Sequence, residues 1–182
     1  MHHLPNALTL MRLALTVPIA LLLLAERHAQ ALCLFAVAGF SDALDGFLAR
    51  RFGWVSRLGS LLDPLADKLL LVTSYMCLTA TQVLPAWLTL IVLLRDALIV
   101  SGAGLYRLLL GPLQFQPSGL GKLSTVMQIV LVLAVLLELS ILPGVADVRG
   151  LLIYGVLLLA LASAGHYAWV WVGKFNEQRR SA

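Results

Sequence analysis

The sequence predicts an all-α integral membrane protein, with six transmembrane helices in one bundle and both termini in the cytoplasm. Of its 182 residues, 60% are hydrophobic and only 12% are charged. A soluble domain of this size has too little interior to bury so many apolar side chains. The apolar residues also fall into segments of about 20, which is the length that a spanning helix needs. We therefore expect a single membrane domain over residues 1–182.

Six apolar segments are long enough to be spans, and short polar stretches or stretches containing Gly and Pro separate them. In the first span the basic Arg12 precedes an apolar run, as in a secretory signal, but no small-x-small cleavage site follows, so we expect this span to be retained. The predicted spans are Leu8–Leu24, Ala29–Ala49, Ser60–Ala80, Pro85–Leu108, Leu123–Leu142 and Leu151–Trp171.

The positive charges predict an orientation. With the N-terminus inside, eight Lys and Arg residues lie on the cytoplasmic side, whereas the opposite side keeps Arg27 and Arg149. Cytoplasmic loops carry such an excess, so we expect both termini to be cytoplasmic. A net charge of +4 could also indicate nucleic-acid binding. No basic run with interleaved aromatic residues supports this, so we expect no nucleic-acid partner and attribute the charge to loops near anionic lipid.

Four of the nine acidic residues lie close together in an otherwise apolar setting. Asp42 and Asp45 are three residues apart, and Asp63 and Asp67 are four apart, so on helices each pair shares one face. Two carboxylates about 4 Å apart repel by about 4 kcal/mol at an effective dielectric constant near 20, so the group needs cations. Oxygen ligands without His or Cys nearby favour Mg²⁺, Mn²⁺ or Ca²⁺ over zinc.

The spacing of these residues resembles the signature of the CDP-alcohol phosphatidyltransferase family. The pattern Asp-x2-Asp-Gly-x2-Ala-Arg-x8-Gly-x3-Asp-x3-Asp is complete from Asp42 to Asp67. The resemblance implies transfer of a phosphatidyl group from a CDP-linked lipid, usually CDP-diacylglycerol, to an alcohol, with release of CMP. It also implies two divalent cations, Mg²⁺ or Mn²⁺, and a homodimer. We expect the bacterial inner membrane as the location, with the active site facing the cytoplasm.

The resemblance also assigns roles to individual residues. Asp67 matches a metal ligand that is also the general base for the acceptor hydroxyl. Gly59 lacks a side chain, as Gly46 does, so a ligand can approach closely there. The metal ligands implied are Asp42, Asp45, Asp63 and Asp67. The residues expected around the CDP moiety are Asp42, Gly46, Ala49, Arg50 and Gly59.

Two further segments bear on the acceptor alcohol. Residues 4–12 are similar to the Pro-Asn-x-Leu-Thr-x-x-Arg opening of phosphatidylglycerophosphate synthases and of cardiolipin synthases of the eukaryotic type. Residues 118–128 resemble a Ser-x-x-Gly/Ser-Lys-x-x-Thr-x-x-Gln segment of both groups. We expect an anionic acceptor whose phosphate is bound by Arg95, Arg107 and Lys122. For Arg95, an internal salt bridge with Asp96 is the alternative.

The resemblance favours phosphatidylglycerol over glycerol-3-phosphate as the acceptor. Phosphatidylglycerophosphate synthases usually carry Arg-Glu in the fourth span, where this chain has Arg95-Asp96. Residues 58–68 also look closer to the cardiolipin synthases. An alternative of a different class is a cation transporter, since carboxylates in spans also mark ion paths. The aspartates cluster at one surface rather than at the midplane, and no inverted repeat is visible, so we favour the enzyme.

Overall fold

The computed structural model describes residues 4–52, 57–110, 119–141 and 146–181, with side chains over 10–41, 65–102, 119–141, 148–167 and 169–170. In these ranges the secondary structure consists of six α-helices, without a strand. They are α1 (Leu4–Leu24), α2 (His28–Phe52), α3 (Arg57–Ala80), α4 (Ala86–Leu110), α5 (Gly119–Ser140) and α6 (Ala146–Ser181). The prediction of an all-α protein with six helices is confirmed.

The helices run beyond the apolar segments that predicted them. Helix α5 begins at Gly119 rather than Leu123, and α6 continues to Ser181, ten residues past the predicted end at Trp171. Polar residues can continue a helix, because its hydrogen bonds join backbone groups. Hydropathy marks the apolar part of a helix and not its last hydrogen bond. By length and composition, the segments Gly119–Ser140 and Val148–Tyr167 could each cross a membrane.

Two tight turns end α1 and α3 in the same way. Glu26 and Gln82 have φ of 56° and 59°, in the left-handed region. After Glu26, the Arg27 N–H donates to the Leu22 carbonyl at 2.8 Å. After Gln82, the Val83 N–H donates to the Leu78 carbonyl at 2.9 Å. This is the Schellman arrangement, which pairs the last carbonyls of a helix. It lets α2 begin at His28, directly after α1.

One compact unit consists of residues 1–85 and 132–146. Within it, α1 packs against both α2 and α3. Residues three and four apart lie on one face of a helix, and the buried residues follow that spacing. The buried side chains of α1 include Arg12, Thr16, Ile19 and Leu23, and those of α3 include Ala66, Leu70, Ser74 and Leu78. The α1 stripe therefore carries a charged residue into the packed interior of this unit.

The second compact unit consists of residues 86–131 and 147–182. Helix α6 buries residues at the same spacing, namely Val156, Ala160, Ser163 and Tyr167. A Cβ placed at Gly155 would lie 3.8 Å from Met127 Cε, so α5 and α6 are in van der Waals contact there. On α4 the buried residues include Leu88, Val92, Arg95 and Asp96. This unit also buries charge, as an ion pair.

The outward faces of both units are apolar. Val17 and Leu21 on α1 are each 62% exposed, and Leu151 and Leu158 on α6 are 75% and 67% exposed. Within α6 these residues share a face with Tyr154 and Leu161, which are also exposed. Each of these helices thus has a buried stripe on one side and large apolar side chains on the other.

Candidate active site

The aspartate motif occupies two consecutive helices. Asp42 and Asp45 lie in the second half of α2, which ends at Phe52, and Asp63 and Asp67 lie in the first half of α3. Both pairs are therefore helical, as their spacing predicted. The part of the chain whose side chains are described does not include the other motif residues. These are Asp42, Asp45, Gly46, Ala49, Arg50, Gly59 and Asp63. Their assignment as ligands of metal and CDP stays a prediction.

Asp67 is the motif carboxylate that the structure describes. Arg12 Nη1 donates a hydrogen bond to Asp67 Oδ1, which makes an ion pair between α1 and α3. The two side chains differ in exposure, since Arg12 is 3% exposed and Asp67 is 46% exposed. Burial of a charge without a partner is costly, so the contact with this carboxylate stabilises the buried guanidinium. Asp67 is therefore hydrogen-bonded to a buried arginine, while nearly half of its own side-chain surface is exposed.

Arg12 was not among the predicted site residues. Two signals pointed to it: a lone charge within an apolar span, and its place at the end of the 4–12 segment. Neither signal identifies its partner, which is 55 residues away in sequence. The packing of α1 on α3 brings the two residues together.

Arg95 lies at a junction of three helices in the second unit. It is 5% exposed, and its Nη1 donates to Asp96 Oδ1 at 2.7 Å. Its Nη2 donates to Ser163 Oγ on α6 at 2.8 Å and to the Gly121 carbonyl on α5 at 3.3 Å. The internal salt bridge given as the alternative for Arg95 is therefore present. A role for Arg95 in binding an acceptor phosphate stays a prediction.

The other expected acceptor ligands are differently placed. Lys122 is exposed, and it follows Gly121, whose carbonyl accepts from Arg95. The side chain of Arg107 lies outside the described side chains. In the segment that contains Lys122, Ser124 and Gln128 are buried, and Gln128 Nε2 lies 3.5 Å from Ser124 Oγ. This segment therefore presents its lysine outward and its amide inward.

Ser163 was also missed by the sequence reasoning. A serine in an apolar span usually serves close helix packing, so the residue type alone carries no functional signal. The structure shows it fully buried, with its hydroxyl accepting from Arg95 across 68 residues of sequence.

Within the described side chains, no group of three or more His, Cys, Asp and Glu residues comes together. Of the four motif carboxylates only Asp67 belongs to that part of the chain. The side chains of the four motif aspartates offer carboxylate oxygens alone. Such donors suit hard divalent cations.

The fold and the motif define the class: an all-helical protein with two aspartate pairs on successive helices. The family model of CDP-alcohol phosphatidyltransferases matches residues 2–170. The chain belongs to the CDP-alcohol phosphatidyltransferase family. The resemblance carried by the motif is thus confirmed.

Relatives of known name include cardiolipin synthases and glycerol-3-phosphate phosphatidyltransferases. A cardiolipin synthase (CMP-forming) of Streptomyces coelicolor is 42% identical over 110 residues, which cover 57% of this chain and 51% of that protein. A cardiolipin synthase (CMP-forming) / mitochondrial hydrolase fusion protein of Schizosaccharomyces pombe is 34% identical over 180 residues, covering 90% of this chain and 30% of the fusion. A CDP-diacylglycerol–glycerol-3-phosphate 3-phosphatidyltransferase of Bacillus subtilis is 33% identical over 154 residues, covering 76% of this chain and 78% of that protein. The chain thus spans about half or less of the two proteins named for cardiolipin synthesis.

Proposed function

We propose that this chain is an enzyme that transfers a phosphatidyl group from CDP-diacylglycerol to an alcohol and releases CMP. One observation carries the proposal: a chain matched by the family model over residues 2–170 has the complete aspartate motif on two consecutive helices. Membership of this family favours the enzyme over the cation transporter.

The proposed setting is a bilayer, which all six helices span as one bundle with both termini in the cytoplasm. The apolar outward faces of α1 and α6 support this, because lipid covers such faces without the cost of about 25 cal/mol per Å² that water imposes. The distribution of Lys and Arg supports the orientation. We place the protein in a bacterial inner membrane, as a homodimer, with the active site facing the cytoplasm.

The donor set of the motif fits two divalent cations, Mg²⁺ or Mn²⁺. Asp42, Asp45, Asp63 and Asp67 would hold them, and Asp67 is open enough to be reached from outside. When bound, such ions neutralise the charge of a diphosphate and the charge that develops on a leaving phosphate.

Asp67 is the proposed general base. In the reaction, the acceptor hydroxyl oxygen forms a bond to the phosphorus of the phosphatidyl group. The bond from that phosphorus to the bridging oxygen breaks, CMP leaves with the electron pair, and the hydroxyl proton passes to the Asp67 carboxylate. The half-open position of Asp67 supports this role, because a base must come within hydrogen-bond reach of the hydroxyl. Asp42, Gly46, Ala49, Arg50 and Gly59 would hold the CDP moiety.

Phosphatidylglycerol is the acceptor that we propose, which makes cardiolipin the product. The names of the relatives from S. coelicolor and S. pombe support this choice. Glycerol-3-phosphate is the second candidate, and the B. subtilis relative favours it because the alignment covers most of that protein. For either phosphate, Lys122 is an exposed cation, and Arg95 and Arg107 complete the proposed set.

The test is release of CMP by the purified full chain in detergent with Mn²⁺ and CDP-diacylglycerol. Phosphatidylglycerol and glycerol-3-phosphate are supplied in parallel, and the lipid product is identified by mass spectrometry. We expect CMP with phosphatidylglycerol and cardiolipin as the product. Loss of a general base lowers rates by about 10²–10⁴-fold, so Asp67→Asn should be nearly inactive yet still bind CDP-diacylglycerol.

Glu26→Gln is the matched control, because Glu26 is an exposed carboxylate outside the motif. It should keep the activity of the wild type. Absence of CMP with both acceptors would contradict the proposed reaction. Faster release with glycerol-3-phosphate would reverse the order of the two acceptors.

A further inference from the structure

The ion pair between Arg12 and Asp67 is asymmetric in a way that bears on catalysis. The guanidinium is 3% exposed, whereas the carboxylate is 46% exposed. Arg12 belongs to the buried stripe of α1, and its own carbonyl accepts a hydrogen bond from Thr16 Oγ at 3.0 Å. The arginine is thus part of the packed interior, and the aspartate is the partner that faces outward.

We propose that Arg12 is a positioning residue for Asp67, and this inference rests on the proposed function, in which Asp67 is the base. A half-exposed aspartate can populate several staggered side-chain rotamers. A hydrogen bond from a charged donor is stronger than one between neutral groups, so it favours the rotamer that makes it. The planar guanidinium has little freedom in a packed interior, so it sets the direction of the carboxylate. Since a misplacement of about 1 Å can cost about 10²-fold in rate, this direction affects turnover.

The same contact has an opposite effect on cation binding. Arg12 is a fixed positive charge that occupies Asp67 Oδ1, an oxygen of an expected metal ligand, so it competes with a cation for this carboxylate. Replacing Arg12 by a neutral residue should therefore strengthen Mn²⁺ binding while it slows turnover. A residue that only supports the fold would weaken both when it is replaced. The two readings thus predict different signs for the change in Mn²⁺ affinity.

The experiment uses the full chain in detergent and compares Arg12→Met with Arg12→Lys. Methionine removes the charge from a side chain of similar reach, and lysine keeps the charge without the planar fork. We expect Arg12→Met to lower kcat by about 10–100-fold, with KM for CDP-diacylglycerol within about twofold. We expect Mn²⁺ to bind about threefold tighter or more, measured as free Mn²⁺ by electron paramagnetic resonance. Arg12→Lys should recover part of kcat and keep the Mn²⁺ affinity of the wild type.

Arg27→Met is the matched control, because Arg27 is an exposed arginine just beyond the end of α1. It should leave kcat, Mn²⁺ affinity and Tm unchanged. The Mn²⁺ measurement is repeated in an Asp67→Asn background, where replacement of Arg12 should raise the affinity less, because the carboxylate that Arg12 contacts is absent. This cycle needs no turnover, so it tests the inference even if the wild type released no CMP and the proposed function failed.

Three results would overturn the role of Arg12. The first is an unchanged kcat in Arg12→Met. The second is an Mn²⁺ affinity that does not rise in this variant. The third is a rise in Mn²⁺ affinity on replacement of Arg12 that is as large in the Asp67→Asn background as with Asp67 in place. A parallel fall of kcat, Mn²⁺ affinity and Tm would show that the pair serves only the fold.

Discussion

Removal of the Asp96 carboxylate tests how the second unit is held together. Arg95 is 5% exposed and has an anionic partner at 2.7 Å in Asp96. Its other described acceptors are neutral: Ser163 Oγ at 2.8 Å and the Gly121 carbonyl at 3.3 Å. In Asp96→Ala the guanidinium would stay buried with only these neutral acceptors.

The structure ranks the cost of three variants. Removing one partner of a buried ion pair costs about 3–5 kcal/mol, because the remaining charge is uncompensated. Removing the hydroxyl in Ser163→Ala costs about 1–2 kcal/mol, since a neutral acceptor is lost and hydrogen bonds between helices in bilayers are modest. In the double variant Arg95→Met with Asp96→Leu neither charge of this pair remains, so we expect it to be more stable than Asp96→Ala by about 2 kcal/mol or more.

The assay is denaturant unfolding of the purified protein in one detergent, with the free energy of unfolding extrapolated to zero denaturant. The expected order of destabilisation is Asp96→Ala first, with Ser163→Ala clearly milder. The reasoning would be refuted if Asp96→Ala came within about 1 kcal/mol of the wild type. It would also be refuted if the double variant were less stable than Asp96→Ala, because the uncompensated charge would then not be the cause.

Two further predictions concern local features of the fold. Gln82 has φ of 59°, and the left-handed region costs an L-residue about 1–2 kcal/mol. Glycine has no such cost but loses more conformational entropy on folding, so Gln82→Gly should raise the free energy of unfolding by about 0.5–1 kcal/mol. An unchanged or lower free energy of unfolding would contradict this. Gln128 is 1% exposed, and its Oε1 has no hydrogen-bond donor within the described part of the chain. Because methionine fills a similar space without a buried unsatisfied oxygen, Gln128→Met should raise the free energy of unfolding by about 1 kcal/mol. A destabilised Gln128→Met protein would show instead that this oxygen accepts a hydrogen bond.

The helices were predictable because the signal for them is local. Each helix contains most or all of one predicted span, since apolar residues cluster along the sequence. The ends were less predictable: α6 continues to Ser181 through polar residues. The turns after α1 and α3 place Glu26 and Gln82 in the left-handed region, where glycine is the usual signal, so residue type did not indicate these conformations.

The site was predictable in its composition and less so in its contacts. The spacing of the aspartates placed each pair on one helix and carried the family assignment, because three or four residues make about one turn. The sequence also offered two readings of Arg95, and the structure shows the contact that one of them requires. The sequence did not indicate that α6 contributes Ser163 to the contacts of Arg95.

By itself, the sequence determined the six helices, the helical placement of the two acid pairs and the family to which the chain belongs. The tertiary structure alone decided which partner each buried charge has: Asp67 for Arg12, and Ser163 with the Gly121 carbonyl for Arg95 in addition to its neighbour. Periodicity states which residues share a face of one helix. The face of another helix that meets them depends on packing among residues far apart in the chain, and here the partners are separated by 55 and 68 positions.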